Sequence, residues 1–188
     1  NIVYHRRDLR TLDNKALEIA GSETVPVYIF DPEELNHELS LDARKEFVLE
    51  SLKDLNRQYI KLGTELVFFH GDPIEILSDL KSKGHEIIFN KNANHFFQDK
   101  ERRLREKFSP VNGNAVISRK DGRPEKWANN AKHWFESQQY SRPESIREND
   151  LEGNTSIEEI REKYSIRPEK DSFGKGGSFE ARKRLENF

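Results

Sequence analysis

The sequence contains no cysteine, no methionine and no long apolar run. Without cysteine, a disulfide framework and every zinc or iron–sulfur site built on thiolates are excluded. A membrane span takes about 20 consecutive apolar residues. The sequence shows neither such a run nor a charged segment followed by an apolar one, so we expect a cytoplasmic protein with no membrane partner. Lys+Arg 32 against Asp+Glu 34 gives a net charge of −2, which does not favour a nucleic-acid binder.

Strand-like and helix-like segments alternate in the first half of the chain and are joined by short connections. Such alternation is typical of a parallel sheet covered by helices. Near-continuous apolar, β-branched and aromatic strands should be buried on both faces. We therefore predict an α/β fold: an open five-stranded parallel sheet of Rossmann-like type with helices on both faces. The predicted strands are residues 2–5, 24–30, 64–70, 86–90 and 114–118.

Capping residues and apolar spacing predict the helix boundaries. Asp31 and Asp72 each precede a proline, a pattern typical of a helix N-terminus, and Thr11 or Asp13 could cap the first helix. Residues 41–63 carry an apolar stripe, which predicts one long helix that a glycine ends. The stripe consists of Val48, Leu52, Leu55, Tyr59 and Leu62. Further helices are predicted at residues 95–108 and 124–140.

The character of the sequence changes after residue 118. The rest is mostly polar, with prolines at Pro143 and Pro168, and indicates a helical and irregular segment that wraps or links. We predict an α/β domain over residues 1–118 and a linker over residues 119–188. GKGGS, from Gly174, lacks the spacing of a phosphate-binding loop and is interpreted as a glycine-rich helix entry. Because the sequence stops within that helix, we expect more protein to follow.

Polar residues stand at the carboxyl ends of the predicted strands. Residues 6–8 (Arg-Arg-Asp) follow the first strand, Asp31 follows the second, and Asn90 ends the fourth. In open parallel sheets, ligands bind beyond this edge, so these residues are binding candidates. Two simpler explanations stay open. Helix capping alone explains Asp31, and residues 6–8 could form a surface ion-pair cluster, although exposed pairs contribute only about 0–1 kcal/mol.

The sequence shows no pattern typical of a catalytic or metal-binding site. The histidines lack metal-ligand spacing, so no metal site is predicted, and no catalytic triad or carboxylate pair can be assembled. The basic residues from Lys100 to Lys107 are typical of a solvated helix face, with a nucleic-acid or partner surface as the alternative. The residues by themselves therefore indicate an α/β domain that binds a small ligand.

Four segments resemble, in order, the DNA photolyase/cryptochrome family. VYHRRDLRTLDNKAL, from Val3, is similar to the family's first strand and its RRDLR motif. VPVYIFDPEEL is similar to the second strand and D-P turn, and FVLESLKDLNRQYIKLGTELVFFHGDP to the long helix, third strand and G-D-P turn. GGSFEARKRLENF resembles the segment that leads into the flavin-binding helical domain. The resemblance covers residues 1–108 and 174–188.

The resemblance implies that this stretch is a light-harvesting antenna domain. The helical domain that follows in the family holds FAD and docks the flipped DNA lesion. It also implies an antenna chromophore as the small-molecule partner and damaged DNA as the partner of the parent protein. Carbon–carbon lyase activity would belong to that parent, and this stretch alone would not be catalytic. By position, the resemblance assigns chromophore binding to Arg7, Asp8, Phe30, Asp31, His37, Arg44, Phe47 and Asn90.

One departure from the family pattern affects the expected chromophore. Folate-binding members often carry an aromatic residue and a glutamate shortly after the fourth strand, where this chain has Ala93 and Asn94. A flavin or deazaflavin is therefore favoured over a folate, and an empty pocket remains an alternative.

Three functions stay open for the chain. The chain could be the antenna domain of a deoxyribodipyrimidine photolyase that repairs DNA in light, the same domain of a cryptochrome-like photoreceptor, or a free-standing nucleotide-binding or interaction domain.

Overall fold

The computed structural model describes residues 1–92, 97–113, 132, 136, 139–167 and 174–187. Five strands form one parallel sheet: β1 (Ile2–His5), β2 (Val25–Phe30), β3 (Val67–His70), β4 (Ile87–Asn90) and β5 (Ser109–Val111). The predicted α/β architecture is confirmed. The fifth strand begins earlier than expected, and residues 114–118, where it was predicted, lie outside the described residues.

The strand order across the sheet is β3–β2–β1–β4–β5, which places β1 at the centre. Ile2 pairs with Val25 of β2 on one side and with Ile87 of β4 on the other. The chain therefore adds two strands on one side of β1 and then crosses to add two on the other. The carboxyl ends of β1 and β4 mark the topological switch point, where sheets of this type commonly bind ligands.

Helices cover both faces of the sheet, as predicted, because alternate strand residues point to opposite faces. The helices that the structure describes are α1 (Lys15–Ala20), α2 (Pro32–Leu35), α3 (Asp42–Ile60), α4 (Pro73–Ser82), α5 (Gln98–Lys107), α6 (Ile157–Lys163) and α7 (Ser178–Glu186). Tyr4 and Phe89 pack on one face with α4 and α5. Phe30 packs on the other face with α3 and α6, and Val3 packs there with α1.

The two predicted Asp-Pro caps are confirmed. The Asp31 carboxylate accepts from the Glu33 backbone N–H at the start of α2, and Asp72 accepts from the N–H of Ile74 at the start of α4. The predicted cap of α1 is wrong. Asn14 caps that helix, because its side-chain oxygen accepts from the first-turn N–H groups, whereas Thr11 donates instead to Gln58.

The long predicted helix is α3, and its apolar stripe is buried as expected. Leu52, Leu55, Tyr59 and Leu62 are all buried in the core that α3 forms with the sheet. Val48, the first member of the predicted stripe, is only half-buried and packs at the edge of this core. Gly63 follows the helix with φ +103, a left-handed conformation that favours glycine, so the predicted stop is confirmed.

Residues 146–166 lie along the β3 edge of the sheet and across α3; we call them the strap. The Asn154 backbone N–H donates to the Phe68 carbonyl (3.1 Å), and the His70 N–H donates to the Asn154 side chain (2.7 Å). These bonds occupy backbone groups that an edge strand otherwise leaves exposed. The strap also contributes buried side chains to the core of α3: Ile146, Ile157, Ile160 and Ile166. The polar sequence after residue 140 therefore wraps the domain.

Some predictions concern residues outside the described ranges. Most of the helix predicted at residues 124–140 lies there. His95 and Phe96, the first residues of the helix predicted at 95–108, lie there too, and the described helix of that region, α5, begins at Gln98. Ala93 and Asn94, on which the choice between flavin and folate depends, lie there too. Among the helices that the structure describes, none combines the length and apolar character of a membrane span.

Candidate functional site

A cavity of about 310 Å³ lies at the carboxyl end of β2. Its walls come from the loop after β1, the end of β2, α2 with the following loop, the first turns of α3, and the end of the strap. Apolar side chains dominate the inner wall: Leu9, Phe30, Leu35, Val48, Leu49 and Ile166. A cavity with apolar walls and a few polar groups is the usual form of a small-ligand site.

Most of the residues that the family resemblance assigned to chromophore binding meet at this cavity. Those that line it are Arg7, Phe30, Asp31, His37, Arg44 and Phe47. Phe30 is buried and its ring stacks on Phe68 (centroids 5.8 Å apart), so it forms a rigid wall. Phe47 is 48% exposed and stands at the mouth. The fold therefore gathers these side chains from separate parts of the sequence.

Asp8 and Asn90, also assigned to the site, do not line the cavity. Both are buried and bind each other: the Asn90 Nδ2 donates to the Asp8 carboxylate (2.6 Å) and to the Asn14 Oδ1 (2.8 Å). The Arg6 backbone N–H donates to the other Asp8 oxygen (3.0 Å). Burial by itself would raise the pKa of Asp8, but neighbouring His5 and the hydrogen bonds lower it below its ordinary value. These residues join the ends of β1 and β4 to the start of α1.

The switch point between β1 and β4 is filled by the protein's own side chains. The Arg6 guanidinium lies over the Phe89 ring (4.8 Å to the centroid), donates to the Asn90 carbonyl (2.7 Å) and forms an ion pair with Glu101 of α5. Only 12% of the Arg6 side chain is exposed. The surface ion-pair interpretation of residues 6–8 is therefore wrong for Arg6 and Asp8, because both are enclosed by the ends of neighbouring strands.

The Asp31 carboxylate lines the cavity but is already engaged. One oxygen caps α2, and the other accepts from the Lys100 ammonium of α5, which also pairs with Glu33. Burial by itself would lower the pKa of Lys100, and its hydrogen bonds to the two carboxylates raise it instead. Asp31 therefore caps a helix, but capping is not its sole contact, and Lys100 of the basic run is directed toward the domain and not toward solvent.

His37 lies in the loop between α2 and α3, at the rim of the cavity. Its Nδ1 accepts from the Leu39 backbone N–H (3.2 Å), which shapes the loop. Its ring meets Phe97 edge-on, with centroids 5.4 Å apart. The imidazole is therefore fixed at the cavity from two sides, by its own loop and by the residue that precedes α5.

Tyr28 and Glu34 also line the cavity, although neither was predicted from the sequence. Tyr28 is two residues before Phe30 on β2, and residues at that spacing share one face of a strand, so strand periodicity could have found it. Its ring contacts Phe30 edge-on at 5.0 Å. Glu34 follows the Asp-Pro cap and has no such signal, since it resembles any exposed glutamate of a first helical turn. Ile166 reaches the cavity from the strap, and no local pattern predicts that.

No cluster of three or more histidine or carboxylate side chains suited to a metal ion occurs within the described parts of the chain. The cavity therefore offers an aromatic wall, two exposed arginines and a few further polar groups. Such a set can hold a planar ring with a charged substituent.

A family model for DNA photolyase matches residues 1–122. The chain belongs to the DNA photolyase family. It is 31% identical over 151 residues to the (6-4)DNA photolyase of Arabidopsis thaliana, and this match covers 66% of the present chain and 27% of the relative. It is 35% identical over 101 residues to the chloroplastic/mitochondrial cryptochrome DASH of Solanum lycopersicum, covering 48% of the chain and 18% of the relative. This photolyase-family chain thus spans only a fraction of the length of the curated relatives it matches.

A solved structure shares the fold of this photolyase-family domain. The archaeal photolyase of Sulfolobus tokodaii, described with two FAD molecules and a proposed novel light-harvesting cofactor, superposes with a TM-score of 0.74. The match covers 98% of this chain and 45% of that one at 21% sequence identity. At that identity the likeness concerns the fold.

Proposed function

We propose that this domain binds a light-harvesting chromophore in the cavity at the end of β2, as the antenna of a photolyase. The observation that carries the proposal is the meeting of aromatic and cationic side chains there. Phe30 and Phe47 offer ring faces, whereas Arg7 and Arg44 form no ion pair with any described residue. Charged groups left unpaired at a cavity are available to a ligand.

The side chains present fit a chromophore of this kind. A planar heteroaromatic ring gains dispersion and hydrophobic contact against aromatic walls, worth about 0.5–1.5 kcal/mol per aromatic pair beyond the buried area. The planar guanidinium of arginine binds phosphate or carboxylate in a bidentate manner. When bound, the chromophore would supply light absorption, and Arg7 and Arg44 would hold its anionic substituent.

A flavin or deazaflavin is the proposed chromophore class, in preference to a folate. Ala93 and Asn94 stand where folate-binding members often carry an aromatic residue and a glutamate. The two FAD molecules described for the Sulfolobus tokodaii photolyase give a precedent for a flavin beyond the usual one. FAD itself would bind in the helical domain of the parent protein.

The parent protein's activity is proposed from its relatives. Light-dependent repair of damaged DNA is favoured by the match to a (6-4)DNA photolyase, which spans 66% of the chain. A cryptochrome-like photoreceptor is the second candidate, because cryptochrome DASH sequences match at similar identity. We place the α/β antenna domain at residues 1–118, with residues 119–188 leading toward the FAD domain; within that second segment the strap folds back and adds Ile166 to the cavity wall. We expect a cytoplasmic location.

Titration of FMN and of a deazaflavin into the protein, followed by fluorescence quenching, tests the proposal. We expect Arg7→Ala and Phe47→Asp each to weaken binding about tenfold or more, because a bidentate contact or an aromatic wall is lost. Both side chains are exposed, so the melting temperature should stay close to wild type. Equal affinity in wild type and variants, or no binding to any of them, would end the assignment.

A further inference from the structure

The charged groups around the cavity divide into paired and unpaired ones. Asp31 pairs with Lys100, Lys45 lies 3.6 Å from Asp42, and the Arg161 guanidinium of the strap binds the Glu46 carboxylate at two atoms. These pairs hold the walls together and have little left to offer a ligand. The polar side chains that have no such partner are the ones available to a ligand, and their chemistry indicates which ligand fits.

Four ionisable side chains that line the cavity have no hydrogen bond or ion pair with any residue that the structure describes: Arg7, Tyr28, Glu34 and Arg44. The two arginines already have a role in the proposed function. Tyr28 and Glu34 do not. A tyrosine hydroxyl can donate one hydrogen bond and an ionised glutamate only accepts them, so this second pair has a chemistry that the arginines lack.

Tyr28 and Glu34 belong to one electrostatic neighbourhood. Burial raises the pKa of the Tyr28 hydroxyl, and the Glu34 carboxylate raises it further, so the hydroxyl keeps its proton. Burial likewise raises the pKa of Glu34, although Arg7 opposes the shift. The phenol ring is held by its contact with Phe30, 5.0 Å away, and Glu34 is held on α2 by the Asp31 cap. The Tyr28 ring and the backbone of Glu34 are therefore fixed before any ligand arrives, and the exposed Glu34 carboxylate is accessible to one.

We propose that Glu34 and Tyr28 together recognise the edge of a heteroaromatic ring at which an N–H stands beside a carbonyl. The Glu34 carboxylate accepts from the ring N–H, and the Tyr28 hydroxyl donates to the neighbouring carbonyl. The arginines hold the anionic substituent at the other end of the same ligand. This proposal rests on the proposed function of the cavity and adds the ring edge that selects the chromophore.

The imide edge of flavins and deazaflavins has this arrangement of N–H and carbonyl groups. A bound ring that lacks the N–H would cover the Glu34 carboxylate without giving it a hydrogen bond, which penalises binding. We therefore expect discrimination between ligands of equal charge that differ only by a methyl group at this edge. That property separates recognition by Glu34 from simple enclosure of any flat ring.

The test compares FMN with 3-methyl-FMN, in which a methyl group replaces the imide hydrogen, and with riboflavin, which lacks the phosphate. Wild-type protein should bind FMN about tenfold or more tightly than 3-methyl-FMN. Glu34→Ala should weaken FMN binding to a similar extent and remove the preference, and Glu34→Gln should restore part of the affinity because its amide oxygen still accepts. Tyr28→Phe should weaken both ligands alike.

Glu38→Gln is the matched control. Glu38 is an exposed glutamate on the loop beside the cavity but does not line it, so its replacement should change neither affinity nor preference. If wild type prefers FMN over riboflavin and Arg44→Gln removes that preference, while Glu34→Ala and Tyr28→Phe bind like wild type, the present inference is wrong and the proposed function stands. If wild type binds none of the three ligands, both are wrong.

Discussion

At the scale of single residues, Arg6, Arg7 and Asp8 show how adjacent charges acquire different roles. Arg6 turns under the sheet edge and pairs with Glu101. Arg7 is exposed and faces the cavity. Asp8 is buried and accepts hydrogen bonds from its own loop and from Asn90. A strand that ends at the centre of the sheet has neighbours on every side, so successive side chains meet different surroundings.

Replacing Asp8 tests the structural role of this loop. We expect Asp8→Ala to lower the free energy of unfolding by about 2–4 kcal/mol, because the buried Asn90 amide and the Arg6 N–H lose their acceptor. Urea denaturation followed by circular dichroism measures the change. Arg7→Ala, at an exposed position of the same loop, should stay within about 0.5 kcal/mol of wild type. Equal losses in the two variants would contradict the assignment of Asp8 to the interior.

Residue roles were predictable from the sequence only where a local rule applies. The Asp31 and Asp72 caps follow from the Asp-Pro pattern, because each carboxylate accepts hydrogen bonds from backbone N–H groups that come shortly after it in the chain. Glu34 and Asp8 obey no such rule, because the cavity around Glu34 and the Asn90 partner of Asp8 come from distant segments. Asp8 was therefore placed at the cavity by resemblance, although its partner Asn90 holds it beneath the sheet edge.

At the scale of elements, α3 connects three parts of the molecule. Its first turns line the cavity, its buried stripe packs on the sheet, and its outer face receives the entry to α7. There the Gly176 N–H donates to the Glu50 carboxylate (2.7 Å) and the Ser178 N–H donates to Asp54 (2.9 Å). The glycine-rich entry interpreted from GKGGS is thus a docking contact on the same helix that borders the cavity.

Gly176→Ala tests this docking contact. A Cβ at this position would overlap the Phe47 carbonyl oxygen and the Ser51 side chain, so we expect the entry to α7 to separate from α3. Amide hydrogen exchange of residues 176–178 should become faster, while exchange in β1 and β2 stays slow. Lys175→Ala, at an exposed side chain of the same segment, should leave exchange unchanged. Unchanged protection in Gly176→Ala would show that the contact does not hold the segment.

The strap contacts β3 through His70. Its Nε2 contacts the Tyr164 hydroxyl (2.8 Å) and its Nδ1 faces the Lys163 ammonium (3.4 Å). Burial and then Lys163 lower the pKa of His70 below its ordinary value of 6.5, although Asp31 acts in the opposite direction. The unfolded chain therefore binds the proton more readily than the folded protein.

Acidification should consequently destabilise the protein. The contribution of His70 is complete above pH 6.5 and is lost as the pH falls through that value toward the folded-state pKa. Buried His5, whose pKa burial also lowers, acts in the same direction. We expect the melting temperature to decrease as the pH is lowered below 6.5, and to decrease less in His70→Gln than in wild type. A fall of the same size in His70→Gln would rule out a contribution from His70.

Elements were predictable where they carry a continuous apolar signal. β1, β2, β3 and β4 are buried runs in the sequence, and α3 has a clear stripe, so both kinds of element were found. β5 is Ser109–Val111, a short edge strand containing a proline, and has no such signal. The strap was recognised only as polar sequence, because its buried isoleucines are isolated and their shared packing on α3 depends on the fold.

At the scale of the whole molecule, the domain is one part of the photolyase-family architecture. The chain covers 27% of the Arabidopsis (6-4)DNA photolyase and 45% of the Sulfolobus tokodaii photolyase chain. We expect the 188-residue chain by itself to show no light-dependent repair, because the proposed FAD and lesion sites belong to the helical domain. Assays with pyrimidine-dimer and (6-4)-photoproduct DNA under near-ultraviolet light measure this. Repair above the dark control would contradict the division of roles.

The position of a bound flavin tests whether the cavity at the end of β2 is the antenna site. A crystal structure of the protein grown with saturating FMN would show where the ring lies. We expect the ring in the cavity at the end of β2, with a face toward Phe30, its imide edge toward Glu34 and Tyr28, and the phosphate at Arg7 and Arg44. A ring bound elsewhere, such as at the switch point occupied by Arg6, or an empty cavity at saturation, would contradict it.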